Sequence, residues 1–305
     1  MPLPTHCPLC RAGIDSQSVV TSHVFGREGG EHAFFNCISC GVRYQYPTLS
    51  PEEESRFYAA EFENFMSSRS GFDGGWHRAE EHIASNELTR KRRMQYLKPY
   101  LIDKCKILEI GCSSGFMLLP LAEKGYSCSG IEPSGIFRDF VNNKGLRVYE
   151  SFEELKSEPL GEKLDLIIHF FVLEHIINPF DFLKSQLDLL KPGGKIIFEI
   201  PNAADPLFEL YDIPAFERFY WSVAHPWYFN ESSIIYLLKK LGSNFNVLRE
   251  QRYDWSNHMI WARDGKPGGM GRFTNVLGEE FDQNYKKTLI KSGFCDTLVV
   301  IINID

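Results

Sequence analysis

Two groups of residues in this chain have the types and spacing to do chemistry. The first is Cys7-Pro-Leu-Cys10 together with Cys37-Ile-Ser-Cys40-Gly41. Each Cys-x-x-Cys pair sets two sulfurs on one tight turn, and two such pairs supply the tetrahedral four-sulfur set that zinc prefers. Gly41 suits the backbone turn of the second knuckle. A closed four-sulfur shell leaves no open coordination position, so the metal is expected to be structural. His6 and His32 lie nearby, but the sulfurs complete the shell without them. A redox motif needs one pair, not two, and a disulfide framework belongs to an oxidising compartment. Cys105, Cys112, Cys128 and Cys295 have no partner in sequence and read as small core residues.

The second group is Lys106-Ile-Leu-Glu-Ile-Gly-Cys-Ser-Ser-Gly-Phe116, followed by Gly130-Ile-Glu-Pro-Ser134. An apolar run enters a glycine turn, a helix pattern follows, and a second short strand ends on Glu132. A buried parallel strand that opens into a glycine loop at a helix N-terminus is a nucleotide-type cofactor site. The dinucleotide pattern Gly-x-Gly-x-x-Gly is not met: Gly111 is followed by Ser113 and Ser114, and Phe116 stands at the third glycine's place. A Walker loop would need a terminal Gly-Lys-Ser/Thr, which is absent. Glu109, two residues before the turn, would repel a pyrophosphate but suits a cofactor with a positively charged end. S-adenosylmethionine (SAM) carries an ammonium and a sulfonium and no phosphate. Glu132 then fits its two ribose hydroxyls.

At these residues the sequence resembles the class I SAM-dependent methyltransferases. Asp165-Leu-Ile-Ile-His-Phe-Phe-Val-Leu-Glu-His-Ile-Ile-Asn-Pro179 looks like the family's fourth-strand motif. Leu190-Lys-Pro-Gly-Gly-Lys-Ile-Ile-Phe-Glu-Ile-Pro-Asn202 looks like its fifth strand with the preceding turn. The resemblance implies an α/β, Rossmann-like sheet of seven strands with the last strand antiparallel, here joined to a small zinc ribbon. It implies a cofactor set of Glu109, Gly111, Cys112, Ser113, Gly115, Phe116, Glu132, Pro133 and Ser134, with His169, Phe170, Phe171 and His175 from the fourth-strand motif. A two-knuckle module fused to this core also resembles bacterial sugar methyltransferases acting on nucleotide-linked deoxysugars. Their C-methylating members carry a Tyr-His-Glu-His motif after the fifth strand and a further C-terminal domain. This chain has Phe219-Tyr-Trp-Ser-Val-Ala-His225 there, so only the final histidine aligns, and the chain ends before such a domain. Both departures make O-methylation, or another small acceptor, at least as good a reading.

These motifs sit in an alternating pattern of apolar strands and amphipathic helices. Strands are expected near 106–110, 127–131, 164–170 and 195–200, with helices near 115–124, 134–144 and 180–190. A helix over 232–241, a strand over 244–253, a helix over 279–292 and a last strand over 296–304 complete the expected core. Residues 1–46 read as the zinc module. Residues 47–98 read as a helical connector, with one long helix over 77–98 and an aromatic then glycine-rich stretch, Phe57–Phe72, as a flexible segment over the site. Residues 99–305 read as the methyltransferase domain. Within it, the aromatic segment 203–227 is expected to be a substrate lid, a plain packing insertion being the alternative. Residues 255–269 read as a polar, aromatic and glycine-rich insertion on the same edge.

Apolar residues make up 43% of the 305, and the net charge is −7. That balance speaks against a general nucleic-acid binder. Arg90-Lys-Arg-Arg93 reads as a solvated helix face. No apolar stretch reaches the ~18–20 residues of a membrane span, and no leader pattern opens the sequence, so a cytoplasmic location is expected. The expected partner is a small molecule, a nucleotide sugar in the first place, with neither nucleic acid nor membrane and with a homodimer as an open option.

Methyl transfer is a displacement in which the protein supplies positioning, and a base where the acceptor must lose a proton. His225, with Tyr220 beside it, is the leading catalytic candidate, since histidine titrates near neutrality. A structural, hydrogen-bonding role for His225 is the alternative. Tyr211 and His258 are weaker candidates. His175 is expected to orient the loop or touch the cofactor, and Glu174 to contact the ammonium or cap a turn. A second function class remains: an RNA- or protein-directed methyltransferase or scaffold that uses the ribbon for recruitment. The acidic balance, and the absence of an Asn-Pro-Pro-Tyr motif for base methylation, weigh against RNA.

Overall fold

In the computed structural model, residues 2–27, 32–57, 78–158 and 162–304 are described. Three short strands, β1 (Gln17–Thr21), β2 (Ala33–Cys37) and β3 (Arg43–Tyr46), form an antiparallel meander beside the two cysteine knuckles. They are rich in β-branched and aromatic residues, as strands covering a small core should be. The meander does not close on itself. Its fourth strand is β9 (Trp227–Tyr228), which arrives from the far end of the chain and pairs antiparallel with β3. The small module expected from residues 1–46 is therefore completed by the segment expected to be a lid.

The core sheet has seven strands, β4 (Lys106–Ile110), β5 (Ser127–Ile131), β6 (Arg147–Tyr149), β7 (Leu164–Phe170), β8 (Leu190–Pro201), β10 (Asn244–Glu250) and β11 (Thr297–Asn303). Their order is β10-β11-β8-β7-β4-β5-β6. β11 is antiparallel to both neighbours, and the strands from β8 to β6 are mutually parallel. Continuous apolar runs make these strands bury both faces: Ile107, Leu108, Ile167, Ile168, Ile196 and Ile197 are all fully buried. The strand order reverses between β4 and β7, and the carboxyl ends there define the crevice where ligands of such sheets bind.

Helices Leu118–Glu123, Gly135–Asn143, Pro179–Leu187, Glu231–Leu241 and Glu279–Ser292 lie within a few residues of their expected positions. The long helix expected over 77–98 is two helices, Ala79–Ser85 and Glu87–Leu97. They part at Asn86, whose side-chain amide donates to the His82 carbonyl and competes with the helical ladder. Residues 255–269, expected as a polar, aromatic and glycine-rich insertion, contain a helix, Trp255–Asp264. Asp254 caps it by accepting from Asn257 N–H, and Gly265 ends it at φ +63°. Strand β6 and the short helix Phe152–Ser157 have no counterpart in the periodicity, being too brief to show one. The stretch Phe57–Phe72, apart from Phe57 itself, falls outside the described residues.

The connector is tied to the sheet by charge. Arg92 donates two hydrogen bonds to the Glu199 carboxylate on β8, at 2.6 and 2.9 Å, and Arg93 Nε donates a third at 2.9 Å. Glu199 is completely buried, and Arg93 nearly so, its guanidinium 4.1 Å from the Phe170 ring centre. Burial alone would push the Glu199 carboxyl up, but the Arg93 and Arg92 charges hold it below its ordinary range. Removing one partner of such a group leaves the other charge stranded in the core. Glu199→Ala is therefore expected to lose about 3–5 kcal/mol of stability, measured by urea denaturation. Arg92→Ala, which leaves the Arg93 bond in place, should lose distinctly less.

Candidate cofactor and acceptor site

The turn after β4 is built by glycines that have no room for a side chain. Gly111 has φ +72°, and a Cβ there would lie 2.8 Å from Val172. On β5, a Cβ at Gly130 would lie 2.6 Å from the Cys112 sulfur, so the two strand ends close tightly on each other. Ser113, at φ +50°, and Phe171, at φ +58°, also hold left-handed backbone at the carboxyl edge, where non-glycine residues carry strain. This strained turn brings two acidic residues to the crevice.

Glu109 is fully enclosed at the end of β4, and its Oε2 has no hydrogen-bond partner among the described residues. Burial raises its carboxyl well above the ordinary range, opposed by the Arg93 charge and reinforced by Glu132. A buried carboxylate oxygen of this kind calls for a cationic or hydrogen-bonding group from a ligand. Glu132, at the end of β5, accepts Ser113 N–H at 2.7 Å and Ser134 N–H at 2.8 Å, one on each oxygen. Both oxygens were expected to meet ribose hydroxyls. They first hold the loop, and each retains a second lone pair for a hydroxyl. Pro133 is exposed beyond Glu132, and Ser134 precedes the helix Gly135–Asn143. Cys112 is buried, so its contribution is to packing against Gly130.

Sequence reasoning missed one residue that reaches the glycine turn. His82, from the helix Ala79–Ser85, hydrogen-bonds Ser114 Oγ at 2.8 Å and packs on Phe116 and Phe137. Phe170 and Phe171 stand under the guanidinium groups of Arg93 and Arg252, at 4.1 and 4.3 Å. His169 departs from its expected place. Its ring alternates to the other face of β7, stacks on Phe198 at 4.7 Å and is fully buried, so its side chain belongs to the core and leaves only its backbone at the strand end.

On the acceptor side, His175 and His225 meet at right angles with ring centres 4.5 Å apart. One ligand-type atom from each of Glu174, His175 and His225 lies within 4.8 Å of the others. Their tautomers follow from their partners. The His175 Nδ1 contact, at 2.8 Å, is the Ala224 carbonyl, which can only accept, so Nδ1 carries the proton. Tyr228 hydroxyl donates its single proton to the Tyr220 carbonyl and accepts from Ser222 N–H, so it must also accept from His225 Nδ1. In the neutral form both imidazoles thus have Nε2 as the basic nitrogen. Tyr220, expected as a catalytic partner, is instead structural. Its hydroxyl donates to the Asn202 carbonyl at 3.0 Å, and burial pushes the phenol far above its ordinary value. His258 is likewise enclosed, bonded to Tyr285 and Gln251, and burial lowers its pKa to about 4. Tyr211 hydrogen-bonds Tyr285 in the same network, at 2.7 Å.

The segment 203–227 is wedged rather than loose. Trp221 is fully buried and touches Phe34 of β2 at 5.1 Å, and Phe25 N–H donates to the Trp221 carbonyl. Its packing function and its place beside the site are therefore combined in one segment.

The four knuckle cysteines converge, with sulfurs within 4.8 Å of one another and Cys7–Cys40 and Cys10–Cys37 contacts of 3.9 and 3.6 Å. Zn–S bonds of about 2.3 Å put tetrahedral sulfurs about 3.8 Å apart, so the spacing fits zinc. Cys10 N–H points at Cys7 Sγ at 3.5 Å, an arrangement that stabilises a thiolate. Gly41, at φ +77°, lies so close to Asn230 and Ser232 that a Cβ would reach 2.7 Å from the Asn230 amide.

A family profile described as "Methyltransferase domain" matches residues 76–249. The chain belongs to this family. A "Ubiquinone biosynthesis O-methyltransferase" of Ruegeria pomeroyi is 30% identical over 96 residues, covering 29% of this chain and 38% of that protein. The namesake from Dinoroseobacter shibae is 27% identical over 170 residues, covering 50% of this chain and 66% of that protein. The first of these matches thus spans well under half of its relative's length. Among solved structures, a SAM-dependent methyltransferase from Archaeoglobus fulgidus superposes with a TM-score of 0.52 at 19% identity, covering 80% of this chain and 100% of that one. The plantazolicin methyltransferase BamL, solved with S-adenosylhomocysteine (SAH) and a triazolic analogue, gives 0.51 at 12% identity, covering 82% and 94%. These likenesses place the fold among class I methyltransferases, with the seven-stranded sheet expected from the motifs.

The packing of His169 has a measurable consequence. Neither ring nitrogen has a hydrogen-bond partner among the described residues, and burial lowers its pKa to about 3. Below pH 6.5 the unfolded chain binds a proton there and the folded chain does not, so stability falls as pH drops from about 6.5 toward 3. His169→Phe keeps the stack on Phe198 and removes the titration. It is expected to flatten that acid slope by up to about 1.4 kcal/mol per pH unit in denaturation curves, and to raise stability at pH 7 by about 1 kcal/mol.

Proposed function

We propose that this protein transfers a methyl group from SAM to a small-molecule acceptor. The observation that carries this reading is the enclosed Glu109 carboxylate, with its orphaned Oε2, at the carboxyl end of β4 beside the strained glycine turn. An anionic, phosphate-bearing cofactor would be repelled there, and a cofactor with an ammonium and a sulfonium would be held. When bound, SAM supplies a methyl carbon made electrophilic by the sulfonium. Glu109 would hold the cationic end, Glu132 the ribose hydroxyls, and Phe116 with His82 the apolar wall. The acceptor nucleophile bonds to the methyl carbon as the carbon–sulfur bond breaks, and the electron pair leaves on the neutral thioether. A hydroxyl acceptor loses its proton to His225 Nε2. The His225 Nδ1–H stays on Tyr228, and the carboxylate of Glu174 in the same cluster favours the imidazolium that forms.

The acceptor class we propose is a nucleotide-linked sugar or a glycan precursor. Its support is the two-knuckle module joined to this core, a combination seen first in the sequence. The curated relatives named above are called ubiquinone O-methyltransferases, which favours oxygen as the methylated atom. A structural zinc ion in the Cys7, Cys10, Cys37 and Cys40 site completes the proposal, and no metal enters the reaction.

Calorimetry should find SAH binding to the zinc-loaded protein at micromolar affinity, and Glu132→Ala should weaken it at least tenfold. Undetectable SAH binding would sink the reading. Transfer of label from SAM across a panel of nucleotide sugars and phenols identifies the acceptor. On that acceptor, His225→Gln should lower kcat by about 10²–10⁴-fold with SAH affinity unchanged. Metal analysis should return one zinc per chain. Chelation should lower the melting temperature and, because β9 shares the ribbon's sheet, suppress turnover as well. Intact turnover after complete zinc loss would separate the ribbon from the site.

A further inference from the structure

Arg252 follows β10, which runs parallel to β8 because each is antiparallel to β11. The residue therefore leaves the sheet at the carboxyl edge, on the same flank as the segment 203–227 that follows β8. Its side chain runs back toward the crevice. The guanidinium lies 4.3 Å from the ring centre of Phe171, the first residue past β7, although β11 and β8 stand between β10 and β7 in the sheet. It also covers its neighbour Tyr253, at 4.9 Å. Stacking of this kind fixes the plane of a guanidinium and leaves its N–H edges for hydrogen bonds.

One edge of that plane is anchored. Arg252 Nε donates to Asp296 Oδ1 at 3.2 Å, and its backbone N–H donates to Oδ2 at 2.9 Å. Asp296 also accepts from Gln251, Tyr253 and Thr297, which leaves it no capacity for more. Gln251 continues to His258, Tyr285 and Tyr211, so the anchor belongs to a network tied into the segment 203–227. The other edge is unused. Among the described residues neither Nη1 nor Nη2 has a hydrogen-bond acceptor, and the side chain is 26% exposed. Arg92 and Arg43, both less exposed, spend this edge on Glu199 and on Ala203 with Glu209. The surrounding acids do not claim it. Glu199 acts on Arg252, but its oxygens already accept from Arg92 and Arg93. Burial, reinforced by the Asp296 charge and opposed by Arg252, raises the Asp205 carboxyl to about 8, so it is mostly protonated at neutral pH. Lys286 Nζ donates to the Arg252 carbonyl at 2.7 Å and makes no ion pair among the described residues, so a second positive charge stands at the same turn.

We propose that Arg252 is an acceptor-binding residue whose Nη1 and Nη2 fork takes an oxyanion, phosphate or carboxylate, carried by the methyl acceptor. This deepens, and rests on, the methyl-transfer reading of the same crevice. The cofactor's own carboxylate is the competing occupant of such a fork. It travels with the ammonium assigned to Glu109 on the other side of β7, and the arginine whose charge acts on Glu109 is Arg93. A fixed guanidinium plane meets an oxyanion with two parallel charge-assisted hydrogen bonds, which a neutral group cannot match. The phosphate is that of a nucleotide-linked or phosphorylated sugar, and the carboxylate that of an aromatic acid. The test has one arm for each.

Saturation-transfer NMR titrations on the zinc-loaded full chain, with and without SAH, would use glucose-1-phosphate for the phosphate arm and protocatechuate for the carboxylate arm. Methyl glucopyranoside and catechol are their neutral counterparts. Wild type should bind one charged probe at least about tenfold more tightly than its counterpart. Arg252→Gln should bring that preference to within about twofold and leave SAH affinity unchanged within about twofold. Arg252→Lys, which keeps the charge and loses the fork, should show a preference between those of wild type and Arg252→Gln. Should the Gln variant fail to fold, the wild-type comparison and the Lys variant carry the test. No preference for either charged probe in wild type would overturn the proposal, as would an undiminished preference in the folded variants. A loss of SAH affinity of about tenfold in folded Arg252→Gln would also overturn it, by placing the fork on the cofactor's carboxylate. Failure of wild type to bind SAH would instead strike the methyl-transfer reading, and the probe arms without SAH are read independently of it.

Discussion

The structure depends on a pairing two residues long. Trp227 and Tyr228 of β9 hydrogen-bond to Tyr44 and Arg43 of β3, and the next residue, Phe229, bridges to Asn202 at the end of β8. One short stretch thus joins the ribbon's sheet to the carboxyl edge of the core sheet. His225 sits two residues before it. So short a strand has little stability of its own. It is held by what packs on it: Phe34 against Trp221 and Tyr228, and Arg43 reaching the Ala203 carbonyl at 2.6 Å while stacking over Phe208 at 5.0 Å. Position at the site is in this way borrowed from a module built around four cysteines.

A second constraint is electrostatic. The region beneath the crevice buries Glu109, Glu199, Arg93 and Glu132 within one low-dielectric volume. Glu199 is matched by two arginines, while among the described residues Glu109 is opposed by Arg93, for which it competes with Glu199. The core is therefore balanced except at the end of β4, where burial opposes ionisation of Glu109 until a cation meets it. A cation arriving there completes a set already assembled, and the groups need little reorganisation when it binds. The enclosing phenylalanines strengthen every one of these interactions by keeping water away.

Much of this was legible in the residues alone. Four of the six core strands placed from apolar runs match within about a residue, because a strand buried on both faces must be continuously apolar. The strand expected over 195–200 begins earlier, at Leu190, and the one expected over 244–253 ends at Glu250 because the chain turns into the Asp254-capped helix. The cysteine knuckles and the glycine turn were also readable, since both are local devices with fixed geometry. The errors lie where non-local packing decides. His169 sits within a cofactor motif, yet strand alternation turns its ring into the core. Tyr220 sits beside His225 in sequence, yet its hydroxyl is taken by Asn202. His82 carries no motif at all, and only the fold brings it to Ser114 of the glycine turn.

The sequence by itself determined the sheet, the turn that selects a cationic cofactor, and the four sulfurs, because spacing and backbone sterics operate over a few residues. Tertiary structure alone decided which segments of the first hundred residues pack against the core sheet and the aromatic segment. Cys40 and Ser232, Arg92 and Glu199, and Gln45 and Pro226 are each brought together across a hundred residues or more. Those contacts follow from which apolar faces can be buried against one another, a property of the whole chain that no local pattern records.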